Sequence, residues 1–87
     1  MTHFKEKDWC VYVLRCRNDA LYTGITNNLA KRLREHEKGT GSKFVRAWSP
    51  FELVKVIPCS EASEARKLEC FIKGLTRQRK LEYLGLG

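Results

Sequence analysis

The chain has 87 residues, of which 43% are hydrophobic and 10% aromatic, with only six glycines and two prolines. This length and composition predict one small folded domain over residues 1–87 and exclude a multidomain or low-complexity protein. Lys and Arg number 17 against 10 Asp and Glu, a formal net charge of +7. A small basic domain most often contacts phosphate, either in nucleic acid or at a membrane surface.

Two neighbouring β-strands open the predicted fold. Residues 9–16 and 20–26 are rich in β-branched and aromatic side chains, which favour strands. Between them, Arg17, Asn18 and Asp19 have the chemistry of a tight turn. Because the link is so short, the two strands are expected to form an antiparallel hairpin.

A helix and a loop follow the hairpin. Asn27 or Asn28 is a suitable N-cap for a helix that continues to about Lys38. Gly39 is then expected to stop that helix. Residues 39–50 predict an irregular loop.

A third strand and a long helix complete the prediction. Phe51–Ile57 forms the strand, which Pro58 closes. Ser60 is expected to cap a helix that runs to about Arg79, and residues 80–87 add a short terminal turn. The order β-β-α-β-α predicts an α+β domain, with a small antiparallel three-stranded sheet flanked by helices.

The sequence favours a cytoplasmic protein without membrane contact. No apolar run approaches the about 20 residues that span a bilayer, and residues 1–9 lack a signal-peptide cleavage pattern. The four cysteines lack the paired short spacings of a zinc site, and each lies in or beside an apolar stretch. We therefore expect reduced, mostly buried thiols at Cys10, Cys16, Cys59 and Cys70.

Two tyrosines on the predicted hairpin are candidate site residues. A three-residue turn pairs Tyr12 with Gly24 and Leu14 with Tyr22, which places both phenols on one face of the sheet. A two-residue turn would separate them. Aromatic strand residues are more often core than catalytic, so the pattern allows either role.

The first helix carries an arginine beside its apolar stripe. Leu29, Leu33 and His36 form that stripe, and Arg32 lies along its edge, one turn from His36. An arginine in this position can point at a phosphate held over the sheet.

The last helix carries a carboxylate among apolar residues. Glu69 falls inside the apolar arc formed by Leu75, Leu68, Ile72, Ala65 and Ala62. A carboxylate there costs free energy unless it is paired or binds a metal. An ion pair with Arg32 or a lysine is one interpretation, and a metal ligand is the other. On the shared-face register, both tyrosine hydroxyls are expected to point towards Arg32 and Glu69.

Positive charge is concentrated in the middle of the chain. Between Asn27 and Arg46 there are six Lys or Arg residues against two Glu. Phe44 and Trp48 alternate with Lys43 and Arg46, a composition suited to backbone contact combined with base stacking. A solvated loop with both aromatic rings in the core fits equally well. The expected nucleic-acid contacts are Lys31, Lys43 and Arg46.

These residues resemble the signature of the GIY-YIG nucleases. Tyr12 is followed by Tyr22-Thr23-Gly24 and by Arg32, eight residues after that glycine. The stretches 21–36, 38–46 and 50–54 are similar to those of small stand-alone bacterial proteins of this family. Cys10-Val11 replaces the usual Gly-Ile, and Thr23 replaces the second Ile. The resemblance covers about residues 9–79 and includes the histidine and the late glutamate.

The resemblance implies metal-dependent hydrolysis of nucleic-acid phosphodiester bonds, with DNA expected over RNA and a role in DNA repair or recombination. Glu69 would hold a single, weakly bound Mg²⁺ or Mn²⁺, with waters completing the coordination. Arg32 would clamp the phosphate as negative charge develops.

The resemblance also assigns the proton chemistry. Tyr12 by preference, and Tyr22 as the alternate, would help to deprotonate the attacking water. A free phenol titrates near about 10, so it needs a nearby cation to act as a base. His36 would orient the water, a tyrosine or a phosphate oxygen, and Gly24 would let the backbone pass close under the site.

Two other functions remain compatible with the sequence. A non-catalytic nucleic-acid-binding module would use the same basic groove but would gain nothing from Glu69. A protein-interaction domain would keep the fold and expose Trp48 or Phe44 to a partner.

Overall fold

A three-stranded antiparallel sheet lies at the centre of the computed structural model, which describes residues 8–87. The strands are β1 (Cys10–Cys16), β2 (Leu21–Thr26) and β3 (Phe51–Pro58), in the spatial order β2-β1-β3. The helices are α1 (Leu29–Lys38), α2 (Lys43–Ala47), α3 (Ala62–Lys73) and α4 (Arg77–Leu84). The predicted α+β class and antiparallel sheet are confirmed. The expectation about a signal peptide in residues 1–9 falls mostly outside the described residues.

The hairpin between β1 and β2 has the register that the three-residue turn predicts. Tyr12 lies opposite Gly24, and Leu14 lies opposite Tyr22. Asp19 adopts a φ of 68°, and the Asn18 side chain accepts a hydrogen bond from the backbone N–H of Ala20 at 3.2 Å. Asn and Asp tolerate this local geometry, which explains why this turn forms.

The two faces of the sheet have separate cores. On one face, Val11 and Val13 pack with residues of α3 and α4, among them Ala65, Ile72 and Leu84. On the other face, the core consists of side chains from β1, β2, β3, α1 and α2: Tyr12, Leu14, Cys16, Tyr22, Leu29, Leu33, Val45 and Phe51. The central strand β1 is therefore covered on both sides.

Helix α1 matches its prediction closely. The Asn28 side chain accepts a hydrogen bond from the backbone N–H of Lys31 at 3.1 Å, which makes Asn28 the N-cap. The helix ends at Lys38, with Gly39 as its C-cap.

The segment predicted as an irregular loop contains a short helix, so that prediction is wrong in part. Ser42 caps α2, and its hydroxyl accepts a hydrogen bond from the backbone N–H of Val45 at 3.4 Å. Val45 is fully buried between the sheet and α1. One buried side chain and one cap are enough to hold this single turn.

The long helix predicted from Ser60 to Arg79 is two helices, which corrects the predicted element order. Helix α3 ends at Lys73 with Gly74 as its C-cap, and Thr76 caps α4 by accepting a hydrogen bond from the N–H of Arg79. The N-cap of α3 is Glu61, not Ser60. Ser60 instead donates two hydrogen bonds to the Glu64 carboxylate, at 2.9 and 3.2 Å.

Helix α4 replaces the short turn expected over residues 80–87. Its Leu84 is buried in the core of the first face. No helix within residues 8–87 is long and apolar enough to cross a membrane. Three of the four cysteine thiols are buried as expected, and Cys70 is exposed.

Candidate active site

The two tyrosines lie side by side on the sheet face covered by α1 and α2. Their ring centroids are 6.4 Å apart. Tyr12 is 1% exposed, and Tyr22 is partly buried. A side chain at Gly24 would put its Cβ only 2.6 Å from the Cζ and hydroxyl of Tyr12. Gly24 is therefore needed because the Tyr12 ring lies against its backbone.

The Tyr12 hydroxyl forms a hydrogen bond with His36 on α1. The distance from its oxygen to His36 Nε2 is 2.8 Å. The imidazole is also in ring contact with Tyr22 and Phe51, at centroid distances of 5.5 and 5.9 Å. His36 is 1% exposed, and a Cβ on Gly41 would approach its Nδ1 to 2.7 Å. The histidine is thus held firmly in one position.

Burial keeps both members of this pair neutral. It raises the pKa of Tyr12, with a further increase from Tyr22, although the Arg32 charge acts in the opposite direction. Burial also lowers the pKa of His36, and Arg32 lowers it further. A neutral phenol can donate and a neutral imidazole can accept, so the Tyr12 hydroxyl can donate to His36 Nε2 when the imidazole proton is on Nδ1.

Arg32 lies at a polar cleft at the start of α1. Its Nη1 is 3.1 Å from Oε1 of Glu35, one turn further along the helix. Together with Lys31, Asn28 and Thr26, the pair lines a cleft of about 350 Å³. Backbone N–H groups at the first turn of a helix and a guanidinium together favour an anion.

Glu69 is on α3, which packs against β2 from the opposite face of the sheet. Its Oε2 is 3.2 Å from Nζ of Lys73, and the two side chains are 20% and 55% exposed. The ion pair is therefore with a lysine and not with Arg32. The charge of Glu69 still adds to the upward shift of the Tyr12 pKa, as the last of its causes.

The Tyr12 hydroxyl makes no direct contact with Arg32 or Glu69, although the charges of both act on its pKa. It is bound to His36, and each charged group has its partner on its own helix. The lysine partner of Glu69 is one of the two interpretations that the sequence allows, whereas the Glu35 partner of Arg32 was not predicted. The signal for these pairs is their spacing along a helix, i,i+3 for Arg32 and Glu35 and i,i+4 for Glu69 and Lys73.

The residues present fit a weakly held divalent cation. Within residues 8–87 no three His, Cys, Asp or Glu side chains are grouped as a metal site. Glu69 would be the single carboxylate ligand, with waters completing the shell, as Mg²⁺ commonly allows. The Glu69 carboxylate is paired with Lys73, whose side chain is 55% exposed.

The basic residues of α2 face solvent beside the tyrosines. Lys43 and Arg46 are exposed. Phe44 is 40% exposed and lies nearly parallel to Tyr22, with ring centroids 6.4 Å apart. Trp48 is 37% exposed, with the Arg17 guanidinium over its ring. The aromatic rings of this segment are therefore at the surface and not in the core.

The hairpin with paired tyrosines, the arginine on the next helix and the carboxylate on a later one are the features in which the sequence resembles the GIY-YIG nucleases. The family model of the GIY-YIG catalytic domain matches residues 8–82. The chain belongs to the GIY-YIG family, and membership implies nuclease-type chemistry.

Similar proteins are small and bacterial. A UPF0213 protein of Oceanobacillus iheyensis is 49% identical over 74 residues, which cover 85% of this chain and 86% of that protein. One of Xanthomonas axonopodis is 41% identical over 78 residues, 90% of this chain and 76% of that protein.

Two solution NMR structures have the same fold. A UPF0213 protein of Bacillus halodurans aligns with a TM-score of 0.61 at 33% identity, over 91% of this chain and 84% of that one. A protein of E. faecalis aligns with a TM-score of 0.66 at 37% identity, with the same coverage of both chains.

Proposed function

We propose that the protein is a divalent-metal-dependent endonuclease that hydrolyses phosphodiester bonds in DNA in the cytoplasm. The observation that carries this proposal is the buried Tyr12–His36 hydrogen bond next to Arg32. A phenol and an imidazole that are both neutral and in contact can take up and pass on a proton.

The phosphate would bind at the cleft lined by Arg32 and Lys31. Two positive charges there would hold the phosphate and stabilise the negative charge that builds up during attack. Glu35, already 3.1 Å from Arg32, would fix the orientation of the guanidinium.

Proton transfer would run through Tyr12 and His36. As water attacks phosphorus, one water proton passes to the Tyr12 oxygen, and the Tyr12 proton passes to His36 Nε2. The P–O bond to the leaving oxygen breaks, and that oxygen takes a proton from solvent. Since burial raises the pKa of Tyr12, a free phenolate is unfavourable, so the two transfers would be concerted: the Tyr12 oxygen would take the water proton as it gives its own proton to His36. Tyr22 is the alternate base, because its ring contacts the same imidazole.

Glu69 is the residue that would hold Mg²⁺ or Mn²⁺, which when bound supplies positive charge at the reacting phosphate. Because Lys73 competes for the same carboxylate, binding of the ion is expected to be weak.

The test is a cleavage panel of end-labelled single-stranded, duplex and branched DNA, with single-stranded RNA for comparison. We expect DNA cleavage with Mg²⁺ or Mn²⁺ and none with EDTA. Undiminished cleavage in EDTA would contradict metal dependence, and preferred cleavage of RNA would contradict the assignment of DNA.

A non-catalytic nucleic-acid-binding module is the second candidate. The Glu69–Lys73 ion pair favours it, since a paired carboxylate has a structural role without any metal. Binding of DNA without cleavage of any substrate in the panel would support this function instead.

A further inference from the structure

A groove crosses the free edge of β2, beside the paired tyrosines. It encloses about 300 Å³ and is lined by Leu21, Tyr22, Thr23, Phe44, Lys73 and Lys80. Within residues 8–87, β2 is an edge strand because it pairs with β1 alone. The groove therefore has side chains from both sheet faces, and it shares Tyr22 with the candidate active site.

An exposed aromatic ring forms one wall of the groove. Phe44 is 40% exposed, although the buried residue of its short helix is Val45. The planes of Phe44 and Tyr22 differ by only 16°. The Phe44 ring thus lies nearly parallel to that of Tyr22 while much of its surface stays open. Such a surface offers a stacking partner for a flat apolar group.

Polar groups line the same groove. The Thr23 side chain is 3% exposed, and its hydroxyl has no hydrogen-bond partner among residues 8–87. Lys80 is partly buried and forms no ion pair with a described residue. Lys73 lies between the groove and the Glu69 carboxylate. The exposed Phe44 ring and the two lysines therefore favour an occupant that combines a flat ring with negative charge, as a nucleotide does.

We propose that this groove binds one unpaired nucleobase of the substrate strand, next to the phosphate that is cut. Because it places the base beside the phosphate that is cut, this inference rests on the proposed function. A base within a duplex has both faces covered by its neighbours, so only an unstacked base can lie against Phe44. The substrate strand is therefore single-stranded at the groove. Lys73 and Lys80 contact its phosphates.

The experiment measures binding in EDTA, so it does not depend on cleavage. A single-stranded oligodeoxynucleotide containing 2-aminopurine, and the matching duplex, are titrated with the wild-type protein and with Phe44→Ala, Phe44→Trp and Phe71→Ala. Phe71 is the matched control because it is an exposed aromatic residue that does not line this groove.

We expect tighter binding of the single strand than of the duplex, with quenching of the 2-aminopurine fluorescence by stacking. Phe44→Ala should weaken single-strand binding by about 5- to 150-fold, the range measured for loss of one base–aromatic stack. Phe44→Trp should retain most of the affinity, and Phe71→Ala should bind as wild type.

The inference is overturned if Phe44→Ala binds the single strand as tightly as wild type, or if Phe71→Ala loses as much affinity. It is also overturned if the duplex binds as tightly as the single strand. Failure of the proposed function has a different outcome: Phe44-dependent binding of the single strand in EDTA, without cleavage of any substrate when metal is added. Cleavage of duplex DNA at equal rates by wild type and Phe44→Ala would instead support the nuclease function and contradict base binding in the groove.

Discussion

At the scale of single residues, Glu69 shows how an ion pair and a metal ligand can be told apart. If Glu69 were paired to a buried cation, its loss would strand that cation and cost about 3–5 kcal/mol. Its partner Lys73 is 55% exposed, and pairs of that kind contribute about 0–1 kcal/mol. A loss of stability is therefore not expected to mask a loss of activity at this position.

We predict that Glu69→Gln abolishes metal-dependent cleavage and leaves the melting temperature nearly unchanged. The amide keeps the shape of the side chain and loses the charge that binds Mg²⁺. Binding of DNA should persist or tighten, because one negative charge leaves a basic groove. Cleavage, affinity and melting temperature are measured on one sample, with the exposed Glu52→Gln on β3 as the matched control. Cleavage by Glu69→Gln at the wild-type rate would remove Glu69 from the mechanism.

The buried imidazole gives a pH dependence of definite sign. Burial lowers the pKa of His36 in the folded chain below its ordinary 6.5. The unfolded chain therefore takes up the proton first as pH falls. The contribution of His36 to the free energy of unfolding is complete above about pH 6.5, the ordinary pKa of the unfolded chain. It is lost as the pH falls through the pKa of the folded chain. The proposed proton transfer needs neutral His36, so cleavage should fall over the same range.

NMR titration of the His36 ring checks this prediction directly. We expect a midpoint below that of the same ring in the urea-unfolded chain. A folded midpoint above the unfolded one would contradict both the stability argument and the acceptor role of His36.

Several residues of the site were predictable from the sequence because backbone geometry alone places them. The three-residue turn fixes Tyr12 opposite Gly24, and helical spacing fixes Arg32 near His36. The groove at β2 was not predictable. It depends on how residues distant in sequence, such as Phe44 and Lys80, meet across the edge of the sheet.

At the scale of elements, regular patterns were predictable and short or interrupted ones were not. Helix α2 has five residues and one buried side chain, too few to show a helical period. The apolar arc of α3 continues past its end to Leu75, which hides the break after Lys73. Gly74 and the capping residue Thr76 carried the signal for that break.

The contact between β1 and β2 at Gly24 predicts a specific packing defect. Gly24→Ala puts a methyl group 2.6 Å from the Tyr12 ring, so the ring must shift and its hydrogen bond to His36 must lengthen. We expect a loss of about 1–3 kcal/mol in the free energy of unfolding, measured by urea denaturation, together with reduced cleavage. Gly74→Ala is the control, since a Cβ there meets nothing closer than 3.6 Å. Equal stability of the two variants would contradict the proposed close approach.

At the scale of the whole molecule, the net charge of +7 is distributed so that α1 and α2 present cations beside the tyrosines. Each phosphate contact releases counterions, so the DNA affinity should fall steeply between roughly 50 and 200 mM salt. Lys43 and Arg46 are exposed on α2, next to Phe44, which places them beside the proposed path of the strand.

We predict that the double variant Lys43→Ala/Arg46→Ala lowers DNA affinity and flattens the salt dependence. Each lost phosphate contact should reduce the slope of log K against log[salt] by about 0.7–0.9. Lys55→Ala is the control: Lys55 is exposed on β3, the edge strand on the opposite side of the sheet from β2. The slope for Lys55→Ala should remain that of the wild type. A side chain that contacts a phosphate displaces counterions from the DNA, so its removal must lower the slope. An unchanged slope in the double variant would therefore show that α2 faces away from the bound strand.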